Sequence, residues 1–445
     1  MPSVTRTART SNTKEIVDQK AHDTLAPAYV DVIQRLSKTY PVVNDKFYEK
    51  LVNFKTNKEQ PIHGWFDYKQ GYADALVQNL IDYSDLNSKD YILDPFTGVG
   101  TTQVSAQQRG IKSIGIDINP VASFAAKVKT HRYTPKQIEK IRLLLSSIKV
   151  NYIRTKKVPK YQRLEAIFTP SQLDQILKIK GLYESIKDPA VQGFFRLAYL
   201  SIIEPVSNRV KDGNGIKISR TKKEIDNVFE YYENKCASML DDITHQKHAE
   251  ARVIEGSILD DEVFGALKDY QIGSVIYSPP YANCFDYLEV YKMEVWLGGF
   301  VDEYKDFTKF RDIALRSHVN SKFSLEIANW NKEVDVIANF IGTYNLWNKK
   351  IPNMLRGYFD DMHEVIKRSY DVSRTGATCA IVVANSGYKG VVVPTDLLLA
   401  DIASLVGYNV DKIVHARDIR SSSQQMAELR VKDGLMRESI ILLRK

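Results

Sequence analysis

Tyr91-Ile92-Leu93-Asp94-Pro95-Phe96-Thr97-Gly98-Val99-Gly100-Thr101-Thr102 joins a short apolar run to the start of a helix through a turn that carries two glycines. Tyr91 to Leu93 reads as a strand closed by Asp94, and a helix is expected from Thr101 to Gln108. A second apolar strand, Ser113 to Ile116, follows and ends at Asp117. Strand, helix and strand in so short a span make a βαβ unit, and such a unit implies a parallel sheet. A helix from Ala73 to Tyr83 precedes it, and strand-like runs return at Ala251–Ile254, Ser274–Tyr277 and Cys379–Val383. After a helix near Asp396 to Val406, two more strands are expected at about 409–416 and 438–443. The expected class is α/β, one sheet domain interrupted by a large helical insertion.

The interruption begins after Pro120. Residues 121–250 read as helical, and two helix starts are explicit: Thr134-Pro135-Lys136-Gln137 and Thr169-Pro170-Ser171-Gln172. Each offers a Thr cap, Pro at the first helical position and Gln at the third. Between those helices, Lys149 to Arg163 holds six basic residues, two tyrosines and no acid. A second stretch, Arg209 to Lys223, sets six basic residues against Asp212 alone and contains Asp212-Gly213-Asn214-Gly215. Residues 24–60 look helical and then irregular, residues 300–355 mixed and mostly helical. The expected division is an amino-terminal tail and helix over 1–45 and a sheet domain over 46–130 with 250–300 and 356–445. A basic helical insertion takes 131–249 and a smaller one 301–355.

Composition narrows the class. With 445 residues, 44% of them hydrophobic, the chain can bury a large core, which excludes wholesale disorder. No apolar run approaches the roughly 18 residues of a membrane span. The opening MPSVTRTARTSNTKE, Ser/Thr-rich with Arg6, Arg9 and Lys14, has no apolar core of a secretory signal and reads as a mobile tail. Cys236, Cys284 and Cys379 lie far apart, which argues against a zinc knuckle or a disulfide framework and fits a reducing cytoplasm. Sixty-two Lys and Arg against 54 Asp and Glu give a net charge of +8, compatible with a polyanionic partner.

The glycine turn suggests a ligand. Gly98 and Gly100 let the backbone approach one closely, and the following helix offers free N–H groups. Asp117, closing the next strand, is placed to accept both hydroxyl protons of a ribose. A nicotinamide fingerprint would want a third glycine near Gln103, and a phosphate loop would want Lys before Thr; neither is present. Asp94 would repel a pyrophosphate but suits a cationic ligand such as S-adenosylmethionine.

Ser278-Pro279-Pro280-Tyr281 follows directly on an apolar strand. Two prolines cannot continue a ladder, so the strand stops in a rigid corner with free carbonyls. The corner offers the Ser278 hydroxyl, the Pro279 carbonyl and the Tyr281 ring. Two acceptors and an aromatic face suit a flipped base bearing an exocyclic amine.

Together, DPFTGVGTT and SPPY resemble the S-adenosylmethionine-dependent DNA amino-methyltransferase family, which modifies N4 of cytosine or N6 of adenine. The resemblance covers roughly 60–130, 250–300 and 370–445, and implies a Rossmann-like methyltransferase sheet with helices on both faces. It implies that Asp94, Thr97, Gly98 and Gly100 hold the methionine part of the cofactor and Asp117 the ribose, with Pro95, Phe96, Thr101, Ile118 and Ser257 beside them. Lys69-Gln70-Gly71-Tyr72 is similar to the family's additional cofactor motif and adds Lys69 and Gly71. Ser278, Pro279, Pro280 and Tyr281 would be the catalytic corner. There is a departure: the family usually places an acid after the glycine of the third strand, whereas Gly256 is followed by Ser257, with Asp260 further on.

Chemistry sorts the substrates. Methylation at a cytosine ring carbon needs a Cys nucleophile, typically after Pro, and no Pro-Cys pair exists. Transfer to an exocyclic amine needs neither a covalent intermediate nor a metal, only positioning. Double-stranded DNA is the expected partner, its phosphates held by Lys156, Lys157, Lys160, Arg209, Lys217, Arg220 and Lys222. Ser at position 278 favours N4-cytosine, because adenine enzymes of the family more often carry Asp or Asn there. The alternatives are an N6-adenine enzyme, an RNA or protein-glutamine amino-methyltransferase, and a non-catalytic nucleic-acid-binding module. The resemblance further implies a restriction-modification setting in bacterium or phage, a cognate endonuclease, and a cytoplasmic protein associated with the nucleoid through DNA. Cys284, Phe285, Asp286 and Tyr287 are candidates for shaping the base pocket, and Trp65 and Phe66 for either core or cofactor cover.

Overall fold

The βαβ unit forms as read and sits inside an eight-stranded, mostly parallel sheet. The computed structural model describes residues 18–161, 164–212, 215–244, 249–321, 331–419 and 434–445. The chain enters through α1 (Gln19–Thr39), the short strand β1 (Val42–Asn44), α2 (Phe47–Leu51) and α3 (Asp74–Tyr83). Then come β2 (Tyr91–Asp94), α4 (Thr101–Gln108), β3 (Lys112–Asp117) and α5 (Pro120–Thr130). Before the sheet resumes, the chain builds α6 (Pro135–Ser146), α7 (Pro170–Glu184) and α8 (Pro189–Val206). The hairpin of β4 (Arg209–Asp212) and β5 (Gly215–Ile218) and helix α9 (Val228–Ile243) complete this segment.

The sheet continues with β6 (Ala251–Glu255), α10 (Asp261–Leu267) and β7 (Ile272–Tyr277). Helices α11 (Tyr287–Val290), α12 (Lys292–Gly298), α13 (Tyr304–Asp312) and α14 (Lys332–Gly342) lead to the long α15 (Ile351–Val372). The chain closes with β8 (Ser373–Ala384), a hairpin of β9 (Ser386–Tyr388) and β10 (Val391–Val393), α16 (Thr395–Val406), β11 (Asn409–Asp418) and β12 (Arg437–Arg444). Strand order is β1-β11-β12-β8-β7-β2-β3-β6. Only the β11–β12 and β12–β8 pairings of this sheet are antiparallel.

Alternation along the strands sorts side chains onto two faces. Leu93, Val275, Tyr277, Ile381 and Ile441 pack with Leu36 of α1, Ile337 of α14, Phe359 of α15 and Leu398 of α16. Their neighbours Ile92, Ile276, Ala380, Val382 and Ile440 pack on the other face with Leu76 and Leu80 of α3 and Ala106 of α4. The expected α/β class with helices on both faces is thus borne out. Helix α15 shows the driving force: Met354, Leu355, Tyr358, Phe359, Met362, Val365 and Ile366 form one buried stripe, each side chain worth about 1.5–3 kcal/mol. Both Thr-Pro-x-Gln segments form reciprocal capping boxes, at α6 and α7.

The helices between β3 and β6 do not stand apart. Phe194, Phe195, Tyr199 and Tyr232 share a core with Trp65, Phe66, Val104, Val121 and Met293; α8 packs against α5 and α12, and α9 packs on α6, α7 and α8. Trp65 and Phe66 are therefore core, and the Trp65 indole donates to Asp242 at 2.7 Å. Three expectations need correction. β1 lies where irregular chain was expected, because three residues are too few to show a period; it pairs parallel with β11. The second basic stretch holds a hairpin, with residues 213–214 outside the described residues. The boundary drawn between 355 and 356 falls inside α15. The tail residues Arg6, Arg9 and Lys14, and Arg163 of the first basic stretch, lie outside the described residues.

Candidate active site

The glycine turn is a frame with its polar groups turned inward. Asp94 Oδ2 accepts from the Tyr72 hydroxyl at 3.0 Å and the Thr102 hydroxyl at 2.6 Å, while Oδ1 accepts from Phe96 N–H at 3.0 Å. Burial nevertheless pushes the Asp94 carboxyl up to about 7. The Thr97 hydroxyl donates to Gln103, and Thr97 N–H to the Ile116 carbonyl at 2.9 Å, tying the turn to β3. Gly98 has φ +52°, and a Cβ there would lie 2.9 Å from the Tyr68 ring. Gly100, φ +83°, caps α4, and a Cβ there would meet Ala126 at 2.9 Å. No other residue fits either position without strain.

A cleft of about 430 Å³ opens beside this frame. Tyr68, Lys69, Gln70, Gly71, Pro95, Phe96, Asp117, Ile118, Asn119, Gly256 and Ser257 line it, together with the whole Ser278–Tyr281 corner. Of the expected cofactor residues, Lys69, Gly71, Pro95, Phe96, Asp117, Ile118 and Ser257 are thus brought together. Asp94, Thr97, Gly98, Gly100 and Thr101 are not among the lining residues. The Asp94 carboxylate instead takes three internal donors and braces the turn beside the cleft. Lys69 lines the cleft, but its amine donates to the Lys211 carbonyl at 2.9 Å and lies 3.5 Å from Glu204. Those contacts tie the side chain to the hairpin. Asp260 caps α10 through Glu262 and Val263 N–H.

Of the two acids that close β2 and β3, Asp117 lines the cleft. Its Oδ2 accepts from Gly98 N–H and its Oδ1 from Asn119 N–H, both at 2.8 Å, leaving each oxygen a lone pair. Burial pushes it up to about 6, against the pull of those two amides. Next to it, Asn119 Nδ2 is a buried donor without a hydrogen-bond partner among the described residues. Two acceptor lone pairs, an unpaired amide donor and the half-buried Phe96 ring fit the ribose and adenine of S-adenosylmethionine.

The corner closes another part of the cleft. Ser278 Oγ donates to the Tyr281 hydroxyl at 3.5 Å, and Tyr281 in turn donates to Glu438 Oε1 at 2.7 Å. Tyr281 N–H donates to the Tyr287 hydroxyl at 3.2 Å. Burial holds the Tyr281 hydroxyl well above its ordinary range, so it stays a donor. Phe285, Asp286 and Tyr287 line the cleft as expected, but Cys284 is buried with its sulfur 3.5 Å from Tyr388. Asp286 caps α11 and accepts from Arg311 Nε at 2.9 Å. Sequence reading missed Tyr68, Asn119, Arg311, His318, Arg417 and Glu438 in the lining. Asn119 alone carried a local signal, two residues after Asp117.

The basic residues divide. Lys156, Lys157 and Lys160 are exposed, as are Lys217, paired with Asp212 at 2.7 Å, and Arg220. Arg209 is half-buried and donates to the Ala166 carbonyl at 3.3 Å. Lys222 is corrected: its amine donates to the carbonyls of Glu204, Ser207 and Arg209, the last two at 2.8 Å, and so caps the end of α8. All three of its protons are used there. Among the described residues, no group of three or more His, Cys, Asp or Glu is placed to hold a metal, and no helix is long and apolar enough to cross a membrane.

Comparison with known proteins agrees with this chemistry. A family model described as DNA methylase, of the N6 and N4 type, matches residues 10–127. The chain is 29% identical to the type II methyltransferase M.BsoBI of Geobacillus stearothermophilus, covering 86% of each chain. It is 26% identical to type II methyltransferase M.AvaI of a Nostoc species, covering 86% of this chain and 87% of that one. It is 23% identical to type II methyltransferase M.MvaI of Kocuria varians, covering 83% and 86%. Over most of its length the chain is thus similar to type II methyltransferases, and residues 10–127 carry the match to the DNA methylase family.

Proposed function

We propose that the protein transfers a methyl group from S-adenosylmethionine to the exocyclic amine of a base flipped out of double-stranded DNA, cytosine N4 in first place. The observation that carries this is one cleft lined by both Asp117 and the Ser278-Pro279-Pro280-Tyr281 corner. The cofactor, when bound, supplies an electrophilic methyl group; Asp117, Asn119 and Phe96 would hold it. The chain's own part is positioning. Ser278 Oγ and the Pro279 carbonyl accept hydrogen bonds from the two amine N–H groups and favour the pyramidal nitrogen whose lone pair is free to react; the one proton the nitrogen then sheds leaves to solvent. The Tyr281 ring stacks on the base. Lys156, Lys157, Lys160, Lys217 and Arg220, all exposed, hold phosphates.

The type II description of the relatives supports a modification role beside a cognate endonuclease, on nucleoid DNA in the cytoplasm. The test is mass spectrometry of nucleosides from unmodified DNA incubated with the protein and S-adenosylmethionine. N4-methylcytosine is the expected product. N6-methyladenine would replace the choice of base and keep the mechanism. Methylation at cytosine C5, or methyl transfer to RNA or protein glutamine with none to DNA, would overturn the reading.

A further inference from the structure

Glu438 is remote from the corner in sequence, 157 residues beyond Tyr281, yet the sheet brings it there. It sits on β12, paired across to Ala384 of β8, and is 5% exposed. Its two oxygens are divided between two donors: Oε1 accepts from Tyr281 at 2.7 Å, and Oε2 from Arg417 Nε at 2.5 Å. Arg417 is on the neighbouring strand β11, where the β11–β12 register shifts between His415 and Arg417.

We propose that Glu438, held by Arg417, is a positioning residue that fixes the direction of the hydroxyl hydrogen bonds from Ser278 through Tyr281 and so keeps the lone pairs of Ser278 turned toward the base. The proposal rests on the reading of the corner as an acceptor of an exocyclic amine. A hydroxyl is both donor and acceptor, so Ser278 alone has no reason to present lone pairs instead of its proton. A carboxylate only accepts. With Glu438 beside it, Tyr281 must donate outward, and its oxygen is left to accept. The proton that fits this acceptor is that of Ser278, whose Oγ lies 3.5 Å away, a long contact of the kind that tightens once substrate fills a site. Ser278 is thereby committed as a donor to Tyr281, and its lone pairs are left for the amine N–H. The same bond anchors the far end of the Tyr281 ring, while the Tyr281 N–H to Tyr287 bond anchors the near end. No proton changes owner in this arrangement; Glu438 acts through Tyr281 and Ser278, not on the base.

The test is a double-mutant cycle of Glu438→Ala and Tyr281→Phe in the full chain, with methyl transfer to unmodified DNA as the rate and S-adenosylmethionine titration as the second readout. Each single variant is expected to lower kcat about tenfold, the scale of one hydrogen bond to a charged group, with cofactor affinity within about twofold of wild type. The double variant should be no slower than the slower single one, because both remove one chain of bonds. Glu438→Gln keeps an acceptor for Tyr281 and should recover most of the rate, which also separates the effect from misfolding. Losses that multiply to about a hundredfold, or full kcat in Glu438→Ala, would overturn the proposal. Wild-type protein that methylates no DNA would instead remove the underlying reading and the proposal with it.

Discussion

Asp117 offers a test in which the pH dependence of one equilibrium reports one residue. Its carboxyl is pushed up to about 6 by burial, against two backbone N–H bonds that favour the anion. Holding ribose hydroxyls is a charge-assisted task that favours the anion further. In the free protein, the ionised share is about nine-tenths at pH 7 and about one-tenth at pH 5, by the ordinary titration relation. The dissociation constant for S-adenosylmethionine should therefore rise about tenfold between pH 7 and pH 5, a loss of about 1.4 kcal/mol. The amino group of the ligand, with an ordinary pKa of about 7.7–8.0, stays charged over most of this window. For the fold itself the sign is opposite. A raised carboxyl pKa stabilises the free protein fully below the ordinary range near 4, and that contribution is lost as pH rises through 6.

The assay is calorimetric titration at pH 5, 6 and 7, in two buffers of different ionisation heat. Wild type should release a proton on binding near pH 6. Asp117→Asn removes the titrating group; its dissociation constant should be at least about tenfold weaker at pH 7, given about 1.5–3 kcal/mol for bonds to a charged group, and flat down to pH 5. A flat wild-type profile refutes the reasoning. So does an Asp117→Asn variant that keeps the slope, since the titrating group would then lie elsewhere, with Asp94 first in line.

Asp94, held at about 7 by burial, makes the wild-type fold lose up to about 4 kcal/mol as pH rises from 4 through 7, and Asp94→Asn should abolish that part of the slope. Equal falls in melting temperature between pH 5 and pH 8 for the two proteins would contradict this. Replacing Lys156, Lys157 and Lys160 together with Ala should flatten the salt dependence of DNA binding by up to about three units, whereas Lys222→Ala should lower the melting temperature and leave that slope unmoved. Ser278→Ala should slow turnover at nearly unchanged cofactor affinity, and Tyr281→Ala should cost about 1–3 kcal/mol of base stacking. Full activity in the combined Ser278→Ala and Tyr281→Ala variant would contradict both.

The parts of the fold legible in the sequence are those governed by neighbours in the chain. Helix α4 starts at Thr101 and ends at Gln108 as read, because Gly100 in a left-handed conformation sets its start. The capping boxes at Thr134 and Thr169 were legible for the same reason: threonine, proline and glutamine are all within one turn. Strand β1 was not legible, since Val42–Asn44 becomes a strand only by pairing with Ile413–His415. Glu438 is the same case at the site. Nothing near it in sequence distinguishes it from any acid in a strand, and its role comes from β12 lying beside β8, next to the β7 strand that ends at the corner.

A motif announces which groups are present but not which way they face. Asp94 and Asp117 look equivalent, each closing an apolar strand, and both invite the reading of a ligand contact. Three donors meet the first: Tyr72, Thr102 and Phe96 N–H make Asp94 a brace of the glycine turn. Asp117 meets only two backbone amides and keeps a lone pair on each oxygen toward the cleft. The lysines repeat the lesson. Lys156 and Lys222 are both members of basic stretches, and charge counting weighs them alike. Yet the carbonyls at and just beyond the end of α8 draw the Lys222 amine inward, while Lys156 remains exposed. An unsatisfied backbone group nearby outcompetes a distant phosphate, so a basic residue that follows a helix end in sequence is first a candidate cap and only then a candidate contact for DNA.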